Sequence, residues 1–146
     1  MIYIENIDGI MKIPGVNPDF FVHSLPALIE MENKTCGDVT LIFCSDDYLL
    51  EINKKYLNHD YYTDVITFDY SDNQIVSGDL FISIDRVLDN ANSLQVVAKE
   101  ELIRVVYHGV LHLVGYKDKT EEEKVVMTSK ENEYLLNFVS RETKEQ

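Results

Sequence analysis

The amino-acid sequence predicts an α+β fold: a single domain over residues 1–146, with a small mixed four-stranded sheet packed against about five helices. Three observations carry this expectation. The elements read in the order β-α-β-α-β-β-α-α-α; 146 residues are enough to bury a real core; and no repeat, low-complexity run or long linker divides the chain.

Ile2-Tyr3-Ile4 alternates and favours extended backbone, so it reads as the first strand. Asn17-Pro18 then opens a helix, with a capping side chain followed by a proline at the first helical position. This helix is expected to run through Phe21, Leu25 and Leu28 to about Asn33, with a kink at Pro26. The apolar run 37–44 reads as a buried strand, and Ser45 caps a helix from Asp46 to about Tyr56. Leu57 to Tyr62 forms a polar, aromatic loop. Residues 65–68 make a strand, Ser71-Asp72-Asn73 a turn, and 78–84 a further strand. Asp85 is expected to cap a helix to about Ser93. A long helix follows from about Val97 to Leu113, and a last one from about Glu121 to Ser140.

The composition is that of a globular chain, with 45% hydrophobic and 27% charged residues. No apolar stretch approaches the roughly 18–20 residues that a spanning helix needs, so no membrane partner is expected. The first residues, Met1 to Asn6, have no basic region and meet an acid early, unlike a secretory signal. A cytoplasmic location is the expectation. Cys36 and Cys44 are too few for a disulfide scaffold and read as buried, reduced thiols. The net charge of −13 runs against a broad phosphate-binding surface. Most of the Lys and Arg residues nevertheless lie after Gln95, mixed with acids on helix faces.

The chemistry concentrates on the long helix. His108 and His112 are four residues apart, which places their side chains one turn apart on one face. Two imidazoles so spaced can reach one cation. Gly115 supplies the positive-φ residue of a helix C-terminus, and the reversing chain returns Asp118 toward the histidines. A His, a second His four residues on, a Gly at seven and a ligand at ten is the spacing of a known helical zinc motif. His108, His112 and Asp118 are therefore the candidate metal ligands and catalytic residues. Zn2+ is the expected ion, with its fourth coordination position open for chemistry. Gly109 stands where a helical zinc peptidase carries its catalytic glutamate, which turns the reading away from peptide bonds. A glycine inside a helix costs about 1 kcal/mol relative to alanine. Close packing on the sheet and room for a bulky substrate are the two available reasons.

At these residues the chain resembles a known family. His108-Gly109-Val110-Leu111-His112-Leu113-Val114-Gly115-Tyr116 is similar to the His-Gly-x-Leu-His-Leu-x-Gly-Tyr signature of the YbeY endoribonucleases. Upstream, the block from Asn53 through Tyr56, Asp60, Thr63-Asp64-Val65 and Phe68 resembles that family's Thr-Asp-Val block. The strand Gly78-Asp79-Leu80-Phe81-Ile82-Ser83 resembles its Gly-Asp-Ile strand. The resemblance implies a zinc-dependent endoribonuclease preferring single-stranded RNA. Its implied roles are ribosomal RNA maturation, at the 3′ end of the small-subunit RNA, and ribosome quality control, with ribosomal components as partners. No dinucleotide cofactor is expected. Two positions depart from the family pattern: Asp118 replaces a usual third histidine, and Leu57 replaces a usual arginine with a phosphate-stabilising role, for which His59 and Lys55 are the nearest substitutes.

By this reading a metal ion assists cleavage of an RNA phosphodiester, with Tyr61 and Tyr62 available to stack on unpaired bases or simply to pack the loop. Asp64 and Asp79 stand as supporting or strand-end residues. A zinc peptidase-like hydrolase and a non-catalytic ribosome-assembly factor are the two rival readings.

Overall fold

In the computed structural model, which describes residues 1–139, four strands form one sheet: β1 (Ile2–Asn6), β2 (Thr35–Cys44), β3 (Val65–Asp69) and β4 (Ile75–Ser83). Their order is β1-β2-β4-β3. β1 and β4 run parallel to β2, and β3 runs antiparallel to β4, so the sheet is mixed as expected. The five helices are α1 (Asp19–Met31), α2 (Asp46–Leu57), α3 (Ile84–Leu94), α4 (Ala98–Val114) and α5 (Glu121–Tyr134). A single 3-10 turn, Ile7–Gly9, had no sequence signal strong enough to predict it. The last helix continues as a π-helical turn over Leu135–Val139, and its expected end at Ser140 lies outside the described residues.

Strand alternation sorts the two faces of the sheet. Val39, Leu41 and Phe43 of β2 and Leu80 and Ile82 of β4 are fully buried on the face covered by α1 and α4. Cys44 of β2 and Ile66 of β3 form a smaller cluster with Leu49 of α2. The tight β3–β4 link turns at Asn73, whose φ of 55° an asparagine tolerates. Asp72 and Ile75 exchange both backbone hydrogen bonds across it, at 3.0 and 2.9 Å.

The α1 entrance matches its sequence signal: the Asn17 Oδ1 accepts the Asp19 N–H at 3.0 Å, with Pro18 already helical. Phe21, Leu25, Leu28 and Ile29 recur at helical spacing and are wholly buried. Pro26 lies inside this helix, which continues to Met31. One expected cap is corrected. Ser83, the last residue of β4, caps α3 by accepting the Arg86 N–H at 3.1 Å. Ile84 is already helical, so Asp85 falls in the first turn and instead accepts the Asp46 N–H at 2.8 Å. It thereby ties the starts of α2 and α3 together.

α4 is the central helix. Leu102, Ile103, Val105, Val106, Tyr107, Gly109, Val110, Leu111, Leu113 and Val114 are all buried, as expected of a helix enclosed on nearly every side. His108 and His112 interrupt this, with side chains 25% and 27% exposed. They form the face of the helix's second half that is open to solvent. Among the described residues no helix is long and apolar enough to cross a membrane. Both cysteines are free; Cys44 is buried, and burial pushes its thiol up to about 12.

Candidate metal centre

α4 positions two of the three candidate ligands, and its C-terminus positions the third. The helix ends on paired hydrogen bonds: the Tyr116 N–H reaches the Leu111 carbonyl at 3.0 Å, and the Gly115 N–H reaches that of His112 at 3.1 Å. The pattern requires a positive φ at Gly115, which is 128°. The chain then turns back over the last helical turn, and Asp118 arrives beside the histidines. Its Oδ2 lies 3.1 Å from the Nε2 of His108 and 3.3 Å from that of His112, and the two Nε2 atoms are 3.1 Å apart.

The outward nitrogens of the two rings decide what the inward ones offer. The Nδ1 of His108 meets the Oε2 of Glu131 at 2.6 Å, and the Nδ1 of His112 meets the carbonyl of Tyr116 at 3.0 Å. A carboxylate and a carbonyl only accept, so each Nδ1 carries the proton and each Nε2 presents a lone pair. Two lone pairs and a carboxylate oxygen thus converge on one point, an arrangement that repels itself unless a cation lies between them. Tetrahedral bonds of about 2.0–2.2 Å to zinc hold neighbouring donor atoms about 3.3–3.6 Å apart, close to the spacings found. The donor set therefore fits such an ion. It is the only such group of three or more ligand atoms among the described residues.

A second layer of residues, which the sequence reading did not single out, holds this arrangement. Glu131 comes from α5 and is 7% exposed. Its other oxygen accepts from Arg104 at 2.9 Å, and Arg104 also reaches Asn132 at 2.7 Å. Burial works against protonation of His108, but the hydrogen bond and charge of Glu131, with the charges of Asp118 and Asp64, outweigh it and raise its pKa. The same negative field favours a dication. Glu131 has one sequence signal: it occupies the middle of the core-facing row Met127, Glu131, Tyr134 on α5, where an acid is out of place.

Beside His108, a cavity of about 150 Å³ continues along α4 toward its N-terminus, lined by Asp64, Glu101, Arg104 and Glu131 among others. Asp64 therefore neighbours the centre, as its family block suggested. Asp79 does not: it lines a separate hollow with Tyr48, Tyr56 and Phe81. Gly109 is explained by packing. A Cβ there would stand 2.6 Å from the Leu80 Cδ2 and 3.4 Å from the Thr67 Cγ2, so α4 rests directly on the sheet at this residue. Lys117 and Lys119, both exposed, flank Asp118. In the preceding loop Tyr61 stacks on His59, with ring centroids 5.1 Å apart, and Tyr62 lies under the guanidinium of Arg86.

Comparison with known proteins agrees with the sequence blocks. The pattern of the family described as Endoribonuclease YbeY matches residues 19–139. The chain belongs to the YbeY endoribonuclease family. A YbeY relative from Flavobacterium psychrophilum is 51% identical over 118 residues, covering 81% of this chain and 84% of its own. One from Parabacteroides distasonis is 44% identical over 133 residues, covering 91% of each. The solution structure of TM1509 from Thermotoga maritima superposes with a TM-score of 0.67 at 26% identity, covering 99% of this chain and 93% of the other. In this member of the family the side chain that converges with the two helix-borne histidines is an aspartate.

Proposed function

We propose that this chain is a metal-dependent endoribonuclease of single-stranded RNA, with His108, His112 and Asp118 holding a zinc ion. The observation that carries the reading is the convergence of three acceptor atoms, 3.1–3.3 Å apart, in a chain whose relatives are named endoribonucleases. We assign its work to ribosomal RNA maturation, including the 3′ end of the small-subunit RNA, and to ribosome quality control, in the cytoplasm and in contact with ribosomal components. The functional unit is one domain spanning residues 1–146.

When bound, zinc supplies Lewis acidity toward a phosphoryl oxygen and lowers the pKa of water to about 7. The side chains do the rest. Glu131 and the Tyr116 carbonyl hold both imidazoles with Nε2 inward. Lys117 and Lys119 place positive charge on either side of Asp118, suited to the phosphates flanking the scissile bond. Arg104, rather than His59 or Lys55, is the cation beside His108, held there by Glu131 and Asn132. Tyr61 and Tyr62 are 56% and 50% exposed and suit stacking on unpaired bases. Peptide hydrolysis is disfavoured: position 109 is a glycine that packs tightly on Leu80 of the sheet, so the catalytic glutamate of a helical zinc peptidase is missing there.

The test combines metal analysis of the purified protein with cleavage of unstructured RNA and of a peptide library, each with and without chelator. RNA cleavage lost on chelation and restored by zinc is expected; cleavage of peptides alone refutes the reading. His112→Ala is expected to leave a folded, inactive protein. Loss of the fold in that variant would instead make the metal structural.

A further inference from the structure

The cavity beside His108 holds a charged group that the metal centre does not use. Glu101 is 7% exposed, yet its carboxylate makes no hydrogen bond or ion pair with any described residue. It lines the cavity with Asp64, whose Oδ2 accepts from Asn90 at 3.3 Å, and with Glu131. Burial lifts both Glu101 and Asp64 above the ordinary carboxylate range. The Glu101 carboxylate opens onto the cavity rather than being sealed in the core, so a ligand that brings N–H groups can meet it there.

Two observations narrow the class of ligand. No three of these acids bring ligand atoms within 4.8 Å of one another, unlike the metal centre, so they are too dispersed to enclose one cation. The volume of about 150 Å³ also equals roughly five waters at about 30 Å³ each, well short of the roughly 300–1,000 Å³ of a drug-sized pocket. That is the scale of a single nucleobase. Val65 and Val105 supply apolar wall for such a ring, and Arg104, which has five N–H donors, supplies a cation against a carbonyl.

We propose that this cavity is a base-recognition subsite that takes the Watson–Crick edge of guanine in the RNA substrate, read by Glu101. Guanine alone among the four bases presents a ring N–H and an exocyclic amine side by side, matching the two oxygens of one carboxylate. Its O6 faces a donor, here Arg104. Uracil offers one N–H between two carbonyls, which acceptors at Glu101 and Asp64 repel. Glu101, Arg104, His108 and His112 follow one another along a single face of α4, so the subsite adjoins the metal centre and selects where an RNA strand is placed on it. The proposal rests on the endoribonuclease reading.

The experiment uses the zinc-loaded full chain and short unstructured RNAs that differ at one position, carrying guanine, inosine or uracil. Cleavage is mapped, and binding of non-cleavable 2′-O-methyl versions is measured by fluorescence anisotropy. Guanine is expected to be preferred over uracil by roughly 5- to 150-fold, the worth of one bidentate pair. Inosine, which lacks the amine, should lose most of that preference, and Glu101→Gln should flatten it. Inosine acts on the wild-type chain, so the test survives a variant that fails to fold. Cleavage or binding indifferent to guanine, inosine and uracil overturns the proposal. Guanine-selective binding without any RNA cleavage overturns the endoribonuclease reading and leaves the base subsite standing.

Discussion

Gly109→Ala adds one methyl where the long helix touches the sheet, and its cost can be worked from the contacts. The new Cβ would lie 2.6 Å from the Leu80 Cδ2, closer than real carbon contacts allow, and 3.1 Å from its Cγ, a tight contact. Leu80 is wholly buried in the main core, so its side chain has no free space to swing into. Overpacking of this kind costs about 1–3 kcal/mol, whereas alanine gains about 1 kcal/mol of helix propensity over glycine. The expected net loss is about 0–2 kcal/mol, or up to roughly 8 °C in Tm at about 2–4 °C per kcal/mol for a domain of this size. Because the small net value alone is ambiguous, the decisive measurement is a double-mutant cycle with Leu80→Val by urea denaturation. Trimming Leu80 alone costs about 1 kcal/mol, and it should relieve the clash with the added methyl, giving a coupling of at least about 0.5 kcal/mol. Strict additivity, or a Gly109→Ala variant more stable than the parent by the full propensity gain, would refute the close-packing explanation. It would leave room for substrate as the reason for the glycine.

Glu131→Gln keeps the shape of the His108 partner but removes its charge and weakens the hold on Arg104. Zinc affinity, measured by competition with a chromophoric chelator, should fall about 10- to 100-fold with the fold retained; unchanged affinity would remove Glu131 from the centre. Glu32 accepts from Tyr116 at 2.6 Å, from Tyr134, and pairs with Lys130 at 3.3 Å. Burial raises its pKa, but these hydrogen bonds and the lysine charge outweigh that and hold it below the ordinary 4.5. The stability it contributes, about 2 kcal/mol, is full above that value and is lost as the pH falls through the lowered folded one. Denaturation of Glu32→Gln against the parent should therefore differ at neutral pH and converge in strong acid; a constant difference would contradict the assignment. Half-buried Cys36 should be alkylated by iodoacetamide well before Cys44, whose buried thiol is pushed up to about 12. Mass spectrometry showing the reverse order would contradict the burial.

What could be read from sequence was what is local. His108, His112, Gly115 and Asp118 lie on one helix and its exit, so helical period and one cap place them together. The α1 entrance at Asn17-Pro18 was legible for the same reason. Glu131, Arg104 and Glu101 were not, because their roles depend on how α5 and the start of β3 pack against α4, which no short-range pattern encodes. Asp85 read as the cap of α3 because the point where β4 ends, at Ser83, is not encoded in the local pattern. Strands β2 and β4 begin earlier than expected, at Thr35 and Ile75, whose side chains are exposed and face no core. The glycine at 109 was visible as an anomaly; its cause, the Leu80 side chain, sits on a strand 29 positions away in the chain.

The three converging side chains fall within eleven consecutive residues, 108–118. Bringing them together closes only a short loop, so an unfolded chain holds the same chelating set at little entropic disadvantage. Ligand-induced stabilisation counts only the preference for the native state over the denatured one, and affinity for the denatured chain subtracts from it. Thermal shifts on adding zinc should thus understate how tightly the folded protein binds it. By the same logic a nascent chain can capture its ion as soon as this segment is made, before the sheet and α5 close around it.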